Sequence, residues 1–121
     1  GAIELTDLNS YCSPDAAYST IGATADMATG TCNNAGDFNR WFKFTAVDSV
    51  VTYTIKRGAT LGTIQRINTT LWEADGSTQV ACARYVSNTD DVTITDSNLT
   101  PGNVYYISVD NNYYAYRGTF T

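Results

Sequence analysis

Histidine is missing from all 121 residues. Its absence removes Ser-His and Cys-His nucleophile pairs, imidazole metal ligands and imidazole proton shuttles in one stroke. Lysine occurs only as Lys43 and Lys56, and lysine plus arginine total 7 against 12 acidic residues, for a formal charge of −5. Nucleic acid and anionic membrane surfaces need clustered basic groups, so neither is an expected partner. Charged residues make up 16% of the chain, against roughly 25% in ordinary soluble domains. Apolar runs extend only a few residues, far short of the ~20 that membrane insertion requires. No charged-then-apolar leader opens the sequence, so the chain reads as a mature product or a piece of a longer secreted polypeptide.

What is present is 43% hydrophobic and 12% aromatic. Thr, Ser, Asn, Tyr and Gly are abundant, while Lys, Glu, Leu and Met, which favour helices, are sparse. β-Branched and aromatic residues favour strands. The apolar period is two from Phe38 onward. Phe38, Phe42, Phe44 and Ala46 fall on one face, with Trp41 and Lys43 on the other. Val51, Tyr53 and Ile55 alternate with Thr52, Thr54 and Lys56, the pattern of a half-buried strand. Val47-Asp48-Ser49 suits a hairpin between these two strands. Further strands are expected at 69–74, 78–86, 91–96, 103–110 and 117–121. The 69–74 and 78–86 strands pair across an Asp75-Gly76 turn, and Pro101-Gly102 turns the chain into the strand carrying Tyr105, Ile107 and Val109. Trp72 and Tyr85 are expected side by side on paired strands. Gly118 lets the returning strand approach closely. Residues 1–121 therefore form one all-β domain, a two-sheet antiparallel β-sandwich of seven to eight strands.

Three cysteines, Cys12, Cys32 and Cys82, leave at least one thiol outside any internal bridge. A Cys12–Cys32 disulfide would constrain a Gly/Ala/Thr-rich stretch of weak structural signal. Cys82, within Val80-Ala81-Cys82-Ala83, then reads as a buried thiol acting as a small hydrophobe.

Carboxylates cluster near turns, where Asp forms turns through its own side chain. Calcium, which takes oxygen ligands from loops, is the functional alternative, with Asp37, Asn39, Asp90 and Asp91 as its ligands. The tip between the last two strands holds Asn111, Asn112, Tyr113, Tyr114 and Tyr116. Tyr offers a flat apolar face with a hydroxyl, and Asn offers paired donor and acceptor groups. Such a loop either displays these groups to a glycan or protein surface or folds its rings back over the sandwich end. Trp41 is expected either at the surface or beneath a neighbouring domain.

Several segments carry a resemblance. They are Arg40-Trp41-Phe42-Lys43-Phe44-Thr45-Ala46, Leu71-Trp72-Glu73-Ala74-Asp75-Gly76-Ser77, the run from Leu99 through Pro101, Gly102, Tyr105 and Tyr106 to Asp110, and Gly118-Thr119-Phe120. Over residues 10–121 the chain resembles the bacterial pre-peptidase C-terminal domain and its relatives in large type IX-exported adhesins of gliding bacteria. The resemblance implies a jelly-roll-like sandwich and a non-catalytic role. It departs from the pattern where Ser77 to Ala81 hold no second cysteine and where Thr121 follows the Gly-Thr-Phe. The expected function is a spacer or adhesive unit of a bacterial cell-surface adhesin, contacting neighbouring domains and a surface glycan or protein. The alternatives are an accessory binding domain of a secreted hydrolase and a filament subunit whose short last strand is completed by a neighbouring chain.

Overall fold

The computed structural model of the chain describes residues 2–6, 8, 11–23, 31–32, 38–58, 60–112 and 114–121. Among these the regular structure is nine β-strands and one short 3-10 turn at Tyr114–Tyr116. The first layer is a five-stranded sheet in the order β1-β3-β8-β5-β6. Its strands are β1 (Ile3–Glu4), β3 (Arg40–Thr45), β5 (Ile67–Trp72), β6 (Gln79–Arg84) and β8 (Val104–Asn111). All its pairings are antiparallel except β1 with β3. The longest strand, β8, is central. Its alternating Tyr105, Ile107 and Val109 enter the core, as the period of two predicts. One row of side chains crosses the sheet through Phe42, Ile107, Leu71 and Ala81.

The second layer contains β2 (Tyr18–Ser19) paired with β9 (Thr119–Phe120), and β4 (Val51–Ile55) paired with β7 (Val92–Asp96). Lys56 and Thr121 join the two pairs by exchanging main-chain hydrogen bonds of 2.8 and 2.9 Å. The layer therefore runs β2-β9-β4-β7. Its inner side chains, Ile55, Val92 and Phe120, share one core with Phe42, Phe44, Leu71, Ile107 and Val109 of the first layer. On its outer face, Thr52 meets Thr95 at 3.0 Å and Thr54 meets Thr93 at 2.8 Å.

Strands form from β3 onward as expected, with β7 alternating in burial along its first four residues, but the β3–β4 hairpin does not form. After Thr45 the chain leaves the first layer, and β4 pairs with β7 in the second. Ala46 is instead tied to the Pro101-Gly102 turn, donating to Asn103 and accepting from Gly102. Both strands carry a buried apolar face, and each finds its cover across the sandwich rather than beside its sequence neighbour. The extra strands β1 and β2 are two residues long, too short for any period to show. Gly102 and Gly76 adopt φ of +88° and +69°, as their turns require. A Cβ on Gly118 would lie 2.5 Å from the Ile64 nitrogen. The returning strand therefore does press against its neighbour there.

The outer face of the five-stranded sheet is covered as well. Every residue of β5 is buried. Trp41 stacks tilted on Trp72 with centroids 5.8 Å apart, and the Trp72 indole donates to the Ser108 hydroxyl at 2.9 Å. Trp72 thus pairs with Trp41, not with Tyr85, because Tyr85 lies opposite Ile67 and one place out of phase with Trp72. The expected cysteine pairing is also corrected. The disulfide joins Cys32 to Cys82, with Cα atoms 5.9 Å apart, and Cys12 is a free, exposed thiol. The apolar neighbours of Cys82 were misleading. Ala81 and Ala83 pack toward the core, and a period of two turns Cys82 to the outer face, where Thr31 also bonds the Gln79 side chain.

Candidate functional site

Three places could carry function: the β8–β9 connection, the acidic turns, and a cavity between the layers. In the connection, Asn111 and Asn112 are buried. The Asn112 side chain donates to the Tyr85 hydroxyl at 2.9 Å. Tyr116 is half-buried beneath the Arg66 guanidinium, 4.3 Å from its ring centroid, a cation–π geometry. The Tyr116 carbonyl accepts from Gln65. Of the two arrangements expected of this loop, Asn111 and Asn112 are turned inward and Tyr116 is half-covered over the end of the sandwich. The partners come from outside the loop: the Tyr85 hydroxyl receives the Asn112 amide, and Arg66 covers the Tyr116 ring. Tyr113, and the side chain of Tyr114, lie outside the described residues.

Of the expected calcium ligands, Asp90 and Asp91 are engaged in separate turns. Asp90 accepts from the Val86 and Ser87 amides at 3.0 and 2.7 Å, capping its own turn. Asp91 accepts from Arg57 and Gly58 at 2.8 and 3.3 Å, tying the end of β4 to the start of β7. Asn39 is buried, and Asp37 lies outside the described residues. Among the described residues no three Cys, Asp or Glu side chains gather in a way that could hold a metal. The adjacent carboxylates of Asp90 and Asp91 are set in different turns because consecutive residues point in different directions. Asp75 behaves similarly. It accepts from the Thr78 hydroxyl and from the Ser77 and Thr78 amides, and these bonds hold its carboxyl down at about 2.

The cavity lies between the layers and measures about 280 Å³. Phe42, Phe44 and Ile107 form one wall, and Val51, Tyr53, Ile55 and Phe120 form the facing wall. The segment carrying Leu5, Leu8, Tyr11, Cys12 and Ser13 lines its remaining side. The Tyr11 and Tyr18 hydroxyls bond to each other at 2.8 Å. That bond, with some burial, pushes Tyr11 up to about 12. Deeper in, the Tyr53 hydroxyl bonds Thr69 Oγ1 at 2.8 Å. The walls are largely aromatic and aliphatic, and the polar lining residues are serine, threonine and tyrosine, with Cys12 and Lys56. Such a site binds by burying apolar surface and by directed hydrogen bonds. Sequence reading did not anticipate it.

Compared with models of protein families, with curated proteins and with solved structures, the chain finds no match in any of the three.

Proposed function

We propose that this chain is a non-catalytic, jelly-roll-like module of a large secreted bacterial surface adhesin, serving as a rigid spacer between neighbouring units. The observation that carries this reading is the burial of β5 along its whole length, on both faces of the five-stranded sheet. A sheet covered on both sides resists bending and shear through packing rather than through its ladder alone. The Cys32–Cys82 bridge, spanning 50 residues, adds a covalent tie from the outer segment to the edge strand β6. Such a bridge suits an oxidising, extracellular setting, and no helix among the described residues is long and apolar enough to cross a membrane. The inward-turned Asn111, Asn112 and Tyr116 favour spacing over adhesion.

Replacement separates the two roles. In the adhesin, this module would be exchanged for an unrelated β-sandwich of equal length, and cell attachment measured. A spacer predicts full attachment with the exchange and loss on simple deletion. Loss of attachment on exchange, or saturable binding of the purified module to a cell-surface glycan or protein, overturns the reading.

A further inference from the structure

The triplet Asn-x-Thr, with any residue but proline in the middle, is the acceptor pattern for N-linked glycosylation. It occurs at Asn68-Thr69-Thr70 and at Asn98-Leu99-Thr100. The fold treats the two in opposite ways. Asn68 lies in β5, hydrogen-bonded on either side by β8 and β6. It is buried, and so are both threonines after it. In that packed position no enzyme reaches the carboxamide and no sugar fits.

Asn98 stands in the connection from β7 to β8, two residues past the end of β7. It is exposed, and so is Thr100. Leu99 between them is buried and anchors the triplet, its N–H donating to the Ser49 carbonyl at 2.9 Å. The Asn98 N–H donates to the Asp96 carboxylate at 2.9 Å, and the Thr100 N–H donates to the Tyr105 hydroxyl at 2.8 Å. The triplet is thus held by its main chain and by one apolar side chain. The Asn98 carboxamide and the Thr100 hydroxyl make no hydrogen bond among the described residues. The loop presents to solvent the two side chains that define the pattern and uses neither in the fold. The Cys32–Cys82 bridge suits the oxidising, extracytoplasmic setting in which secreted chains acquire such sugars.

We propose that Asn98 carries an N-linked oligosaccharide. The donor is an oligosaccharide activated on a lipid diphosphate, and the catalyst is a separate transferase. The carboxamide nitrogen forms a bond to the anomeric carbon of the sugar. The bond from that carbon to the diphosphate oxygen breaks, and the lipid diphosphate leaves with the electron pair. One amide proton passes to a base of the transferase. The proposal stands apart from the spacer reading and survives its failure.

The test is made on the full-length protein isolated from the cells that produce it. After proteolysis, mass spectrometry should find the peptide containing Asn98 heavier by one oligosaccharide and the peptide containing Asn68 unmodified. Release of the sugar by an amide-cleaving glycosidase should convert the Asn98 carboxamide to a carboxylate. Thr100→Val, returned to the same cells, removes the hydroxyl but keeps the main-chain bond to Tyr105. This variant and Asn98→Gln should retain the circular dichroism of the unaltered protein and lose the sugar completely. An unmodified Asn98 overturns the proposal. So does a sugar that survives Thr100→Val, or one carried by Asn68 instead.

Discussion

The Tyr53 hydroxyl and Thr69 Oγ1 meet at 2.8 Å across the gap between the two layers. Thr69 itself donates to the Ser108 carbonyl at 2.9 Å, so Tyr53 is the donor in the bond between layers. The two substitutions that break this bond are therefore unequal. Tyr53→Phe leaves Thr69 its remaining bond and should cost about 1 kcal/mol. Thr69→Val leaves the buried Tyr53 hydroxyl without its acceptor and takes the Thr69 bond from the Ser108 carbonyl, and should cost about 2 kcal/mol. Urea unfolding of the two variants measures the order; equal costs would contradict the donor assignment.

The same residue sets an alkaline limit. Burial raises the Tyr53 hydroxyl well above the ordinary tyrosine value of 10.0. Above that value the unfolded chain releases a proton that folded Tyr53 retains. Its contribution is complete below the ordinary value and is lost as pH rises toward the folded one. Between about pH 9 and about pH 11, the urea midpoint should fall further in the unaltered protein than in Tyr53→Phe.

Asp75 works at the acid end with the opposite sign. Its carboxyl is lowered from 3.8 to about 2 by the Thr78 hydroxyl and the turn amides. The stabilisation is whole above the unfolded value and fades as pH falls through the folded one. A carboxyl titration by NMR should place Asp75 near 2, and Thr78→Ala should move it back toward 3.8.

Alkylation without reductant should add one label, at Cys12, since Cys32 and Cys82 are bridged. Opening the bridge frees a span of 50 residues, which loop entropy values at about 4 kcal/mol. Cys32→Ala with Cys82→Ala should lower stability by up to that amount, whereas Cys12→Ser should leave it within about 0.5 kcal/mol.

Two glycines separate backbone angle from space. Gly102 has φ of +88° but open surroundings, whereas an added Cβ on Gly118 meets the Ile64 nitrogen at 2.5 Å. Gly102→Ala should cost about 1 kcal/mol. Gly118→Ala forces main chain apart and should cost about 3 kcal/mol or more. Thermal unfolding of the pair would show the ranking.

The alternation in residues 40–46, 51–56 and 104–110 determined the strands, their inward faces and the all-β class by itself, because side-chain direction in a strand is a local property with period two. The Asp75-Gly76 and Pro101-Gly102 turns and the close approach at Gly118 were local in the same sense. Pairing was not. β4 could satisfy its edge with β3 or with β7 equally well as far as its own residues go, and the choice followed from which layer its apolar face could cover. The partner of Cys32 depended on the outer face of β6 lying near Thr31, a distance that 50 intervening residues do not encode locally. The inward turn of Asn112 and Tyr116 needed Tyr85 and Arg66 in place first. The cavity exists only once both layers have formed, because its walls come from strands of both: Phe42, Phe44 and Ile107 on one side, Val51, Tyr53 and Ile55 on the other.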